Sequence, residues 1–408
     1  MLALALGMVA TQAAAWGNHS LATYRALEKM PEVALASTVN AETLDSFLKA
    51  EEKTLEALLA SHEAWAASNL DRYSARPAVL AFIADAARSE DSRRLAFLMA
   101  LRVAPTSKFA LASTTDPWAT SPYAAPHTQA LADGDAVSAL SVIATATDEP
   151  ALGLDTHIWD DSASDWGRIY GLGPAPDGNT APLAAHPAPS ANRILVPLRV
   201  YQFSTLASLA FRTGHPYWGW RFAGISLHYV QNLTQPYYAS LSPSDSSLRL
   251  LTLYALAKLG WDGPRNNQMA LRTNQSSVLD KYQSELMQTT ASAKQEGPLE
   301  KALRSTDKDR SYPDWSAKYL RDTVVPQAQA QSAQTARLLL DAMPAQYVSN
   351  PEFDFASRES VIHLCQELKS ANPDKRARLD GTLAELLANF GAHSRNALRA
   401  ILRASTQL

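Results

Sequence analysis

Three histidines in this chain have neighbours that suit metal chemistry. The stretch "GISLHYVQNLTQPYYAS" (residues 224–240) places His228 and Asn232 four residues apart, with Tyr238 beyond them. On a helix, positions i and i+4 share a face, so one helix can offer two ligands to one ion. His157 lies in the acid-rich "DEPALGLDTHIWDD" (148–161), where Asp148 and Asp155 precede it. His19 follows Trp16 by three residues and opens an apolar-faced stretch with Leu21, Tyr24 and Leu27. Imidazole and carboxylate are the ligands zinc takes when thiolates are lacking, and zinc so held activates water and polarises ester oxygens. Taken one at a time, each histidine reads first as a hydrogen-bonded structural residue; the set is what suggests a site.

Helices must position these residues. "NAETLDSFLKAEEKTLEALLASHEAW" (40–65) repeats apolar side chains at three- and four-residue spacing: Leu44, Phe47, Leu48, Leu55, Leu58 and Leu59. The same period runs through residues 74–87, 92–103, 135–147, 195–213, 246–260 and 277–290. Gly260 stands where a helix-terminating glycine belongs, and Asn40 and Ser61 are reasonable helix-starting caps. Convincing two-residue alternation is nearly absent, so the expected fold class is all-α. Two stretches rich in proline, glycine, serine and alanine, 104–128 and 172–193, read as loops flanking the histidines.

With 46% apolar and 19% charged residues in 408, the chain can bury a large core. A net charge of −3 gives no broad basic field for holding nucleic acid, and no stable nucleic-acid complex is expected. The single cysteine, Cys365, rules out an internal disulfide and a cysteine-based zinc site. Residues 2–10 are apolar, and Ala13 and Ala15 stand ahead of Trp16 as in a cleavage site. We therefore expect a signal peptide over 1–15 and a secreted or periplasmic protein beginning at Trp16. A helical domain over 16–299 and a C-terminal helical extension over 300–408 complete the expected organisation, the extension carrying little chemistry of its own.

The combination of an N-terminal Trp16, a nearby His19 and "LHYVQNLTQPYYA" resembles the zinc-dependent phospholipases C and the related single-strand-specific zinc nucleases. "RTGHPYWGWRF" and "DEPALGLDTHIWDD" look more like the bacterial phospholipase branch. The resemblance covers roughly residues 16–285. It implies an exported all-α enzyme with a trinuclear zinc cluster that hydrolyses phosphodiesters. Carried over residue by residue, it implies that the α-amino nitrogen and carbonyl of Trp16, with His19, hold one zinc. A second would be held by His157, His228 and an acid, either Asp148 or Asp155, and Asp148 could also serve as general base toward the attacking water.

The departures from the pattern are specific. The bridging carboxylate falls on Asn232, whose amide oxygen ligates weakly and carries no charge. The third zinc's ligands fall on Tyr238 and, in "TNQSSVLDKYQ", on Ser276 and Asp280. One or two zinc ions are thus expected rather than three. The expected activity is metal-assisted hydrolysis of a phospholipid head-group phosphodiester at a membrane surface. The alternatives are a non-catalytic relative with a degraded cluster, or a phosphodiesterase acting on nucleic acid. Trp159, Trp166, Tyr217, Trp218, Trp220 and Tyr237 are either core residues or a cage for a choline-like head group. His186 and His215 are candidates for the rim of the site.

Overall fold

Periodic apolar spacing produces helices throughout the computed structural model, which describes residues 16–69, 110–112, 128–130, 134–150 and 190–406 apart from a few single positions. The first part comprises α1 (His19–Leu27), α2 (Pro31–Ala36), β1 (Thr38–Asn40), α3 (Leu44–Ala50), α4 (Glu52–Asn69), β2 (Ala110–Ala112), β3 (Thr128–Ala130), β4 (Ala136–Ser138) and α5 (Ala139–Ala146). Then come α6 (Ser190–Arg212), α7 (Pro216–Asn232), α8 (Pro236–Ala239), α9 (Ser247–Lys258) and α10 (Gly263–Ser292). The last part comprises α11 (Pro298–Arg304), α12 (Val325–Ala342), α13 (Ala345–Val348), α14 (Leu364–Glu367) and α15 (Pro373–Thr406). The all-α expectation holds. Two antiparallel ladders, β1 with β4 and β2 with β3, are three residues long, too short to show alternation in the sequence.

Several local expectations need correction. The run 40–65 is divided at Glu51 into α3 and α4. Asn40 lies in β1 and Ser61 inside α4, so neither caps a helix start. The stretch 135–147 begins as strand β4 before Ser138 caps α5 by accepting a hydrogen bond from the Ser141 amide. Gly260 does end α9, with φ of +88°, the left-handed conformation that glycine adopts without strain. The helices expected over 74–87 and 92–103 lie outside the described residues, as do the signal stretch 1–15 and most of both expected loops.

Helix α7 is the centre of the fold: every residue from Tyr217 to Gln231 is buried. A largely apolar helix buried on every side is surrounded by others, and α5, α6 and α15 pack around this one. The α5 contact is close enough that a Cβ at Gly224 would collide with the Ile143 carbonyl, so only glycine fits there. Tyr217, Trp218 and Trp220 on α7, and Tyr237 on α8, are at most 3% exposed and belong to the core. They are therefore not available as a head-group cage; Trp159 and Trp166 lie outside the described residues. Cys365 is partly buried, and burial pushes its thiol up to about 12, which makes it inert.

The long α15 packs on α1, α6, α7 and α11, so apolar residues from both sides of residue 300 share one core. Arg395, on α15, is fully buried and paired with Asp309, and it also donates to the carbonyls of Ala26 and Leu303. Two residues earlier, His393 accepts from the Tyr319 hydroxyl at Nδ1 (2.9 Å) and donates from Nε2 to Gln327 Oε1 (2.7 Å). Burial holds its pKa down at about 3. Between that value and the ordinary 6.5 the unfolded chain binds more protons, so His393 costs the fold stability as pH falls. His393→Gln removes this cost. The stability gap between wild type and variant, measured by urea unfolding, should narrow by about 1.4 kcal/mol per pH unit below pH ~6.

Candidate metal centre

The site is assembled from four elements around the C-terminal half of α7. Asn18 caps α1 and so fixes where His19 starts the helix. The end of α5 delivers Thr147 and Asp148, α7 delivers His228, Gln231 and Asn232, and α15 closes the far side with Phe390 and Ser394. His19 and His228 stand together, ring centroids 4.5 Å apart, although they are 209 positions apart in sequence. Both are buried.

Gln231 organises this pairing. Its Oε1 accepts from His19 Nδ1 at 2.8 Å. Its Nε2 donates to Thr23 Oγ1 (2.8 Å) and Ser394 Oγ (3.1 Å), and its main-chain carbonyl accepts from Trp16 Nε1 (3.1 Å). An amide oxygen only accepts, so the His19 proton sits on Nδ1 and the Nε2 lone pair is bare. That Nε2 is buried without a hydrogen-bond partner. On His228 the same logic applies: Nδ1 donates to the Thr147 carbonyl at 2.7 Å, leaving the Nε2 lone pair to accept from Asn232 Nδ2 at 2.9 Å. Burial lowers His19 to about 4, the Gln231 and Asn232 side chains opposing it. Burial, then the neighbouring His19, lowers His228 further. Both imidazoles are neutral, as metal ligands must be.

Asn232 spends its amino group on His228 and leaves Oδ1 buried with no partner. Turning the amide over would present that oxygen to a cation beside His228. Asp148 accepts the Ser20 amide at Oδ1 (3.2 Å), and burial raises its pKa to about 6, partly offset by Ser20. Trp16 is buried against Phe390, its indole also donating to Thr234 Oγ1 at 3.2 Å. His157 and Asp155 lie outside the described residues, and so does His186.

No family model, curated protein or solved structure matches this chain.

Among the described residues, no three His, Cys, Asp or Glu side chains converge as a metal-holding group. The donors His19 Nε2, His228 Nε2 and Asn232 Oδ1 nevertheless suit zinc chemically. Two are neutral imidazole lone pairs with their opposite nitrogens anchored, and two of the three atoms are orphaned in the core.

The expected third position does not suit zinc. Asp280 Oδ1 accepts from Gln235 Nε2 at 2.6 Å, and burial raises its pKa well above the carboxylate range. Tyr238 is held in its protonated form by burial and by Asp280. Ser276 Oγ is buried without a partner. A neutral acid, a phenol and an alcohol are poor zinc ligands, and Arg272 stands near both Tyr237 and Tyr238.

His215 lies elsewhere: its Nδ1 meets Glu42 at 2.8 Å and its Nε2 stands 3.5 Å from Glu51, clamping the start of α7. The sequence reading missed Gln231, Ser394 and the Thr147 carbonyl. Only Gln231 left a trace there, as a polar residue between His228 and Asn232 on a largely apolar helix.

Proposed function

We propose that the chain is an exported zinc-dependent phosphodiesterase of the phospholipase C type, working with a reduced metal set. The observation that carries this reading is the buried pair of neutral imidazoles, His19 and His228, each with Nδ1 tied to an acceptor. A cation meeting the buried His19 Nε2 would satisfy a lone pair that no donor in the fold fully occupies. His19, His228 and Asn232 Oδ1, with His157 and the Trp16 main chain, would hold the ion. Zinc so held supplies Lewis acidity and an acidified water.

The chain's own residues supply the rest. Asp148, held in place by Ser20, would take the proton of a water attacking phosphorus. Gln231 and the Thr147 carbonyl fix both imidazole tautomers.

A second reading, a non-catalytic zinc protein, is favoured by one observation: Asp280, at the position implied for the third metal, has Oδ1 taken by Gln235 and is held in its neutral form by burial. The test is zinc content of protein processed to Trp16, together with hydrolysis of a phosphocholine ester with and without chelator. Bound zinc with chelator-sensitive turnover is expected. Bound zinc without turnover would select the second reading, and protein that retains no zinc would sink both.

A further inference from the structure

We propose that the hairpin formed by α9 and the start of α10 is a docking surface for a lipid bilayer. Helix α9 packs chiefly on α10 and turns its apolar stripe outward. Leu248, Leu251, Ala255 and Leu259 follow one another at three- and four-residue steps, and all are exposed. Leu248 is 74% exposed and Leu259 78%. Gly260 then turns the chain, and Trp261 at the tip is 68% exposed. Isolated surface leucines are ordinary, but a continuous stripe ending in a tryptophan marks a contact surface.

The charges favour lipid as the occupant. Ser247–Lys258 contains Arg249 and Lys258 and no acidic residue, in a chain whose net charge is −3. Arg249 is held by Asp245 and Arg265 by Asp262, each at 3.2 Å. The Arg265–Asp262 pair is exposed on both sides and contributes little, so it readily exchanges for lipid phosphate, and the Arg249 side chain itself faces solvent. Leucines that enter the acyl boundary, a tryptophan at head-group level and flanking bases are the pattern of a helix lying in the interface. The surface would be docked on, not crossed: among the described residues no helix is long and apolar enough to span a membrane. This inference does not depend on zinc or turnover, although it would bring a lipid-cleaving site to its substrate.

The test is co-sedimentation of the full chain with phosphatidylcholine vesicles, with and without phosphatidylserine, in chelator-containing buffer. Wild type should sediment with the vesicles, more strongly when phosphatidylserine is present. The double variant Leu259→Ser/Trp261→Ser should partition about tenfold more weakly. Helical circular dichroism and the melting midpoint should not change, because both side chains are exposed. Three results would overturn the proposal: wild type left in the supernatant with both vesicles, a variant that binds equally well, or a dimer that the substitutions split without any vesicle binding. Chelator is present throughout, so failure of the zinc reading leaves this result unaffected.

Discussion

Replacing Gln231 with alanine is expected to cost the fold roughly 3 kcal/mol, well above the typical effect of a single substitution. The side chain is fully buried and joins three elements that only tertiary structure brings together: α1 through His19 and Thr23, α7 itself, and α15 through Ser394. Its removal has two separable consequences. The cavity left by a four-atom side chain costs about 1–2 kcal/mol in a core that relaxes only partly. The His19 Nδ1–H is left without an acceptor, a further cost of about 1–3 kcal/mol. Thr23 and Ser394 are less affected, since each keeps another bond, to Thr147 Oγ1 and to the Phe390 carbonyl. Gln231→Met keeps most of the volume and loses only the hydrogen bonds, so it should fall about midway. Urea unfolding should show lower midpoints with unchanged slopes. A loss under ~1 kcal/mol for the alanine variant would show that Gln231 does not hold the imidazole in place.

The importance of Gln231 illustrates what the sequence could and could not show. Helical period is local, so α6, α9 and the second half of α10 were legible from apolar spacing alone. The strand that precedes Ser138 was not, because it depends on ladder pairing between β1 and β4, nearly 100 positions apart, and nothing in the apolar spacing marks the break at Glu51. His19 and His228 were singled out by residue type and context, and the fold brings them together. Their orientation was illegible. It depends on a carbonyl at the end of α5 and an amide one turn along α7, and neither has a sequence signature. The contribution of α15 was also hidden: it lies in a serine on an amphipathic helix that reads as ordinary packing. For the aromatic residues on α7 the sequence left two roles open, core or cage, and burial decides for the core.

Asn232→Asp is expected to change the protein's stability in opposite directions with and without zinc. In wild type, the amide donates to His228 Nε2 and leaves Oδ1 unsatisfied. A carboxylate cannot donate, so in metal-free variant His228 must take a second proton to restore the contact. That imidazolium would lie in the same dry pocket that now lowers the His228 pKa through burial and through His19. Without zinc, the variant should therefore be less stable than wild type near neutral pH, by about 1–3 kcal/mol. It should also lose less of its stability on acidification, since the new carboxylate favours the protonated ring. With zinc, the same carboxylate meets a dication and adds a charged ligand where wild type offers a neutral amide. Affinity should rise on the order of tenfold or more, and each tenfold adds about 1.4 kcal/mol to the folded state at saturating metal. Thermal melts of wild type and variant, with zinc and with chelator, measure all four states. A zinc-induced shift larger in the variant by several degrees is the expected result. Equal shifts would place Asn232 outside any metal's reach, and the buried imidazole pair would then stand as a structural contact.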